Sequence, residues 1–252
     1  MDRAKEVQAD IVCFPEVNLS GYSLNPEAVR SRPTSEEALI LDILLRETRH
    51  SGMTLLAGWV AHNDVGKPWI THSVVTPQGK IGVYRKTHLG PPERAVYTAG
   101  EDVPVFRLEH TTIGIQLCYD AHFPDLTTIM AENGMDMLFV PHASPHGSGQ
   151  KKIDSWKRHL VARAYDNAVF VLACNLSGTN DTGLSFPGAA LAIDPAGQVI
   201  DSAALDPEGM LVVDARVSAI HAVRNHPMRY FAPNRRPDLY GNREKQVVID
   251  LS

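Results

Sequence analysis

Two periodicities divide the chain. Apolar runs of strand length recur at Ile11-Val12-Cys13-Phe14, Thr54 to Ala61, Trp69 to Thr76, Ile81 to Lys86, Val105 to Glu109, Ile113 to Leu117, Met137 to Val140 and Val169 to Cys174. Each is bounded by turn-forming or helix-forming residues, as strands are. Helical spacing appears between them. Leu41, Leu44, Leu45 and Thr48 share one face of a helix that Thr34-Ser35-Glu36-Glu37 opens as a capping box and Gly52 stops. A second helix, with Pro124 near its first turn and Gly134 past its end, follows Cys118. A third, running from Asp154 to Asn167, places Trp156, Leu160, Val161 and Ala164 on one side. Asn63-Asp64-Val65-Gly66, Pro77-Gln78-Gly79-Lys80 and Asp194-Pro195-Ala196-Gly197 are turns. The last joins Ala189–Ile193 to Val199–Ser202, after which a strand is expected over Met210–Asp214 and an extended arm over 217–252. Hairpins together with helix-linked strands predict a single α/β domain over 1–252, with two sheets face to face and helices outside.

Composition narrows the partners. The 252 residues carry a net charge of −5 and are 44% hydrophobic and 21% charged, ordinary values for one globular domain. No run of Lys or Arg offers a footprint for nucleic acid or an anionic membrane. No apolar run approaches the length of a membrane span, and Met1-Asp2-Arg3-Ala4-Lys5-Glu6 is too charged to begin a signal peptide. Cys13, Cys118 and Cys174 are too few and too scattered for a disulfide framework, so reduced thiols and a cytoplasmic location are expected.

Three chemically capable side chains sit at the ends of predicted strands: Glu16, Lys86 and Cys118. A rigid sheet aims such residues while the following loop leaves room for a ligand. Taken singly, each has a bland explanation: an inert core thiol, a carboxylate holding backbone N–H groups, a solvated Arg-Lys pair. The words around them say more. Ile11-Val12-Cys13-Phe14-Pro15-Glu16, continuing to Leu19-Ser20-Gly21-Tyr22, resembles the first signature of the nitrilase (carbon–nitrogen hydrolase) superfamily. Tyr84-Arg85-Lys86-Thr87-His88-Leu89 resembles its second, and Gly114-Ile115-Gln116-Leu117-Cys118-Tyr119-Asp120 with Phe123-Pro124-Asp125 its third. Arg163-Ala164-Tyr165-Asp166-Asn167, Asn175-Leu176-Ser177-Gly178 and Arg235-Arg236-Pro237-Asp238-Leu239-Tyr240 are similar to weaker family words.

The resemblance implies a four-layer α-β-β-α sandwich that pairs into a homodimer, and hydrolysis of a small-molecule amide or N-carbamoyl compound without metal or organic cofactor. It assigns Cys118 as nucleophile, Glu16 as general base and Lys86 as oxyanion partner, with the Tyr119 backbone N–H as second donor. A second family Glu corresponds to Glu93, and Tyr22 and the 177–186 loop shape the pocket. Two departures matter. His122 stands where amidase-like branches often have an Arg able to grip a carboxylate, which weakens the case for an N-carbamoyl amino acid. Members also begin with a strand and most of a helix ahead of the first signature, whereas this sequence starts in the latter part of that helix, through a late-assigned start, a shortened form or true loss of the strand. The 252-residue form is expected to be less stable than one with the upstream region restored. Tyr119-Asp120 favours amides over nitriles. A nitrilase proper, a non-catalytic scaffold, and a zinc hydrolase built on His142 and His146 are the alternatives. Pro145 and the lack of a third ligand disfavour zinc and leave His142 as pocket lining.

Overall fold

Side-chain alternation along one central strand sets the layering. In β2 (Thr54–Ala61), Leu55, Ala57 and Trp59 pack with Ile40 and Leu44 of α3 (Thr34–Ser51), while Leu56 faces the opposite way, with Ile70, Val74 and Tyr84. A strand covered on both faces reads as a continuous apolar run, which is why the polar half of the alternation is missing from the sequence there. The computed structural model describes residues 1–180, 182–205, 208–240 and 248–252.

The first sheet has four strands in the order β1 (Ile11–Cys13), β2, β3 (Trp69–Val75), β4 (Ile81–Arg85). β1 is parallel to β2 and the other pairings are antiparallel. The second sheet runs β12 (Val199–Leu205), β11 (Gly188–Ile193), β8 (Phe170–Asn175), β7 (Met137–His142), β6 (Thr112–Ile115), β5 (Val105–Arg107), β13 (Val248–Asp250). Its β6, β7 and β8 are parallel. A short hairpin of β9 (Gly178–Thr179) and β10 (Ser185–Phe186) stands apart. The helix α5 (Gly149–Asn167) lies on β8, β11 and β12, with α4 (Pro124–Glu132) beside it, while α3 covers the first sheet. The result is the expected α-β-β-α sandwich. Its sheets close on one another at Gly82, where a Cβ would lie 2.5 Å from the Phe106 ring of the facing sheet.

The shorter elements are α1 (Asp2–Glu6), α2 (Pro26–Arg30), α6 (Val217–Arg224) and α7 (Pro237–Tyr240). Several expectations need correcting. The α3 helix starts at Thr34 itself, so Pro33 holds the cap position and no side chain caps the end. The α5 helix begins at Gly149, five residues before Asp154, because Ser148 accepts from Lys151 N and supplies the cap. Residues 210–214 form no strand and have no ladder partner among the described residues. The expected extended arm starts instead as α6, whose Ile220 and Val223 are buried and whose Arg224 donates to Asp136 at 2.8 Å. The part of that arm at 241–247 lies outside the described residues. Cys13 and Cys174 are half-buried and adjoin across the sandwich, with Cys174 Sγ 3.9 Å from the Cys13 carbonyl.

Candidate active site

Four of the residues singled out in the sequence meet where β1, β4 and β6 end. Lys86, directly after β4 and 1% exposed, donates from Nζ to Glu16 Oε1 at 2.9 Å and to Glu93 Oε1 at 2.8 Å. Glu16 Oε2 accepts from Ala143 N at 2.9 Å, so the end of β7 in the other sheet fixes the carboxylate of the first. Glu93 sits in a 3₁₀ turn, where its Oε2 accepts from Gly90 N at 2.7 Å and its Oε1 from the Tyr22 hydroxyl at 3.2 Å. Three ionisable groups are thus withdrawn from water, and each is bonded on more than one side, as such burial requires.

Electrostatics distributes the protons. Burial pushes Glu16 up to about 7 against the pull of Lys86. Burial alone would lower Lys86, but the surrounding Glu16, Cys118 and Glu93 raise it well above the ordinary lysine range, so it stays an ammonium. Burial, then repulsion from Glu16, pushes the Cys118 thiol up to about 12, only partly relieved by Lys86. The resting group is therefore a thiol rather than a thiolate.

Backbone strain marks the same place. Cys118 opens a 3₁₀ turn at φ 46° and Val17, next to Glu16, has φ 48°. A β-branched residue in the left-handed region is an outlier, held only because the surroundings over-determine it. Around Val17 the fixing bonds are Leu19 N to the Gly58 carbonyl at 3.0 Å and Gly58 N to Asn18 Oδ1 at 2.9 Å. Gly58 allows this approach, since a Cβ there would lie 2.8 Å from Val17 N and 2.6 Å from His72 Nδ1. The Cys118 turn is held by Asp120, which is fully buried. Its Oδ2 accepts from Leu117 N at 3.0 Å and the Tyr84 hydroxyl at 2.8 Å, and its Oδ1 from Thr87 Oγ1 at 2.9 Å and His88 N at 2.7 Å. The strand that delivers Lys86 therefore also positions Cys118.

Above Cys118 lies a cavity of about 340 Å³ bordered by His122, His142, Ser144, Lys152, Trp156 and His159 among others. His142 donates from Nδ1 to the Val140 carbonyl at 2.8 Å and packs at a tilt against Trp156 with ring centroids 4.4 Å apart. Burial pushes it down to about 3, so it is a neutral imidazole. His122 is exposed at the rim and stacks on His159 at 4.5 Å. The Tyr119 ring packs on Phe123 at 5.5 Å. Tyr22, bonded to Glu93, is held from the other side by Asn180 Nδ2 on its carbonyl at 2.9 Å. Among the described residues no three His, Cys, Asp or Glu side chains gather as a metal-binding set. The sequence did not point to Lys152 or His159, read Trp156 only as part of a helix's apolar face, and gave Asn175 only as part of a weaker family word. Asn175 at the end of β8 accepts from Ser144 N at 2.8 Å and donates to the Ser144 carbonyl at 3.1 Å, clamping the loop that carries Ala143. Its signal was the polar residue that ends a buried strand.

The family model for carbon–nitrogen hydrolases matches residues 1–225. An (R)-stereoselective amidase of a Pseudomonas species is 29% identical over 85% of this chain and 76% of its own length. The 2-oxoglutaramate amidase of Bacillus subtilis is 31% identical over 76% of this chain and 73% of its own. In fold, the chain is similar to the crystal structure of a carbon–nitrogen hydrolase from Helicobacter pylori, with a TM-score of 0.85, 22% identity and coverage of 95% and 88%.

Proposed function

Because the chain belongs to the carbon–nitrogen hydrolase family, we propose that it hydrolyses a small-molecule amide through an acyl-enzyme on Cys118. The observation that carries this reading is the Lys86 ammonium, bonded to both Glu16 and Glu93 beside a strained, half-buried thiol. Glu16, raised to about 7, takes the thiol proton as Sγ attacks the carbonyl carbon. The oxyanion that forms is met by the Lys86 ammonium and the Tyr119 backbone N–H. Collapse of the tetrahedral adduct breaks the carbon–nitrogen bond; Glu16 returns the proton to the departing nitrogen, leaving a thioester. Water then gives its proton to Glu16 and attacks the thioester carbon, releasing the carboxylic acid and the Cys118 thiol. Glu93 keeps Lys86 aimed, and Tyr22 keeps Glu93 in place.

The amidase relatives support an amide over a nitrile. Ammonia release measured across primary amides, N-carbamoyl compounds and nitriles tests it. Turnover of amides is the expected result, and turnover confined to nitriles would overturn the choice of substrate. A homodimer, which the family resemblance implies, is part of the same reading, and sedimentation should give twice the 27.7 kDa chain mass.

A further inference from the structure

The wall of the cavity over Cys118 carries a charge that the mechanism above does not use. Lys152, in the first turn of α5, donates from Nζ to Ser144 Oγ at 2.6 Å and to the Pro145 carbonyl at 2.8 Å. An ammonium has three N–H donors and no acceptor, so one remains beyond these two bonds. Lys152 borders the same cavity as Cys118. Lys151 borders it too, and no Asp or Glu does. Of the imidazoles on the wall, His142 and His159 are held neutral, burial lowering them to about 3 and about 4, so they add no positive charge to that of the lysines. The carboxylates of the floor are turned toward Lys86, Ala143 N and Gly90 N. Arg163 is turned away as well, with Nη2 on the His122 carbonyl at 3.3 Å. Burial lowers Lys152 below the ordinary lysine value, so its ammonium is under-solvated, and an anionic group seated over the thiol gains a charge-assisted bond with it that a neutral group does not.

Resting on the amide-hydrolase reading, we propose that the substrate is an amide that also bears a carboxylate, and that Lys152 anchors this carboxylate while Cys118 addresses the amide carbon. The two bonds to Ser144 and Pro145 hold the ammonium in place ahead of binding, which lowers the ordering cost of the contact. They also give the bland alternative, in which Lys152 only tethers the 144–147 loop.

Steady-state kinetics on the full chain separates the two. Malonamate, succinamate and glutaramate are each compared with the neutral amide of equal chain length. The wild type should favour the best of the three acids in kcat/KM by about tenfold or more. In Lys152→Met that preference should collapse, mainly through KM, and Lys152→Arg should restore most of it. A wild-type ratio near unity, or a Lys152→Met variant that lowers both substrates by the same factor, would overturn the anchor and leave the tether. Alkylation of Cys118 by iodoacetamide, read by mass spectrometry, needs no turnover: succinate and glutarate should slow it in the wild type and not in Lys152→Met. Protection without hydrolysis of any amide would sink the hydrolase reading and keep the anion site. Hydrolysis without acid preference or protection would do the reverse.

Discussion

Two fully buried titratable sites meet at Gly58, and the protein handles them in opposite ways. On one side stand Glu16, Lys86 and Glu93, charged and bonded to one another and to backbone N–H groups. On the other stands His72 in β3, with neither ring nitrogen in a well-formed hydrogen bond. Burial pushes His72 down to about 3, and the Leu56 backbone offsets little of this. Equal burial therefore leaves an ammonium bonded between two carboxyl groups in one place and an uncharged ring in the other. What decides is the supply of partners, since a buried charge without them costs more than surrendering the proton. The ions are no gain for the fold, either: Glu16 at about 7 shows a site that resists its own negative charge. Strained and expensive groups of this kind concentrate at functional sites, which makes this cluster the candidate.

The pH dependences of the two sites have opposite signs. Glu16 rises from the ordinary 4.5 to about 7, so the unfolded chain loses this proton first and the fold loses stability as pH climbs through that window. His72 falls from 6.5 to about 3, so the unfolded chain gains a proton the fold refuses and stability drops as pH falls below 6.5.

The largest expected effect comes from the ionic side. With Glu16 as base, kcat/KM should rise tenfold per pH unit up to about 7 and level off above it. Glu16→Gln should lower kcat by about a hundred- to ten-thousandfold and remove that limb of the profile. A Gln variant that keeps the limb would assign the base elsewhere. Next in size is Gly58→Ala, which strikes both regions at once. A methyl there meets His72 Nδ1 and Val17 N at 2.6 and 2.8 Å, so destabilisation of about 2 kcal/mol in urea melts is expected, with a fall in kcat as Glu16 shifts. Unchanged activity would show that the Val17 turn does not aim Glu16.

The smallest effect belongs to His72. Each such imidazole steepens acid destabilisation by at most about 1.4 kcal/mol per pH unit. His72→Leu should make the melting temperature fall less steeply between about pH 7 and pH 5 than in the wild type, with His142 and His159 still acting in the same direction and Glu16 in the opposite one. Parallel slopes would mean that His72 is solvated or bonded in solution.

The same division explains what the sequence revealed. Glu16, Lys86 and Cys118 were legible because each ends a strand inside a recognisable word, and local words follow the local backbone. The layering was legible from Leu55, Leu56, Ala57 and Trp59, where alternation assigns faces without any knowledge of partners. Contacts distant in sequence were not legible. Ala143 N reaches Glu16 across 127 positions, and Asn175 clamps Ser144 across 31. Lys152 lies among polar residues of a helix turn, and nothing in its spacing shows that the turn faces Cys118. The α6 helix was mistaken for extended chain because the Arg, Asn and Pro beyond it dominated the composition, although Val217, Ile220 and Val223 carry the helical spacing.

The central claim is that Cys118 forms the covalent bond, and ammonia release by Cys118→Ala on the best amide tests it most directly. Loss of at least about a thousandfold in kcat, with an unchanged melting temperature, is the expected result. Release from the Ala variant at a rate near that of the wild type would contradict the mechanism.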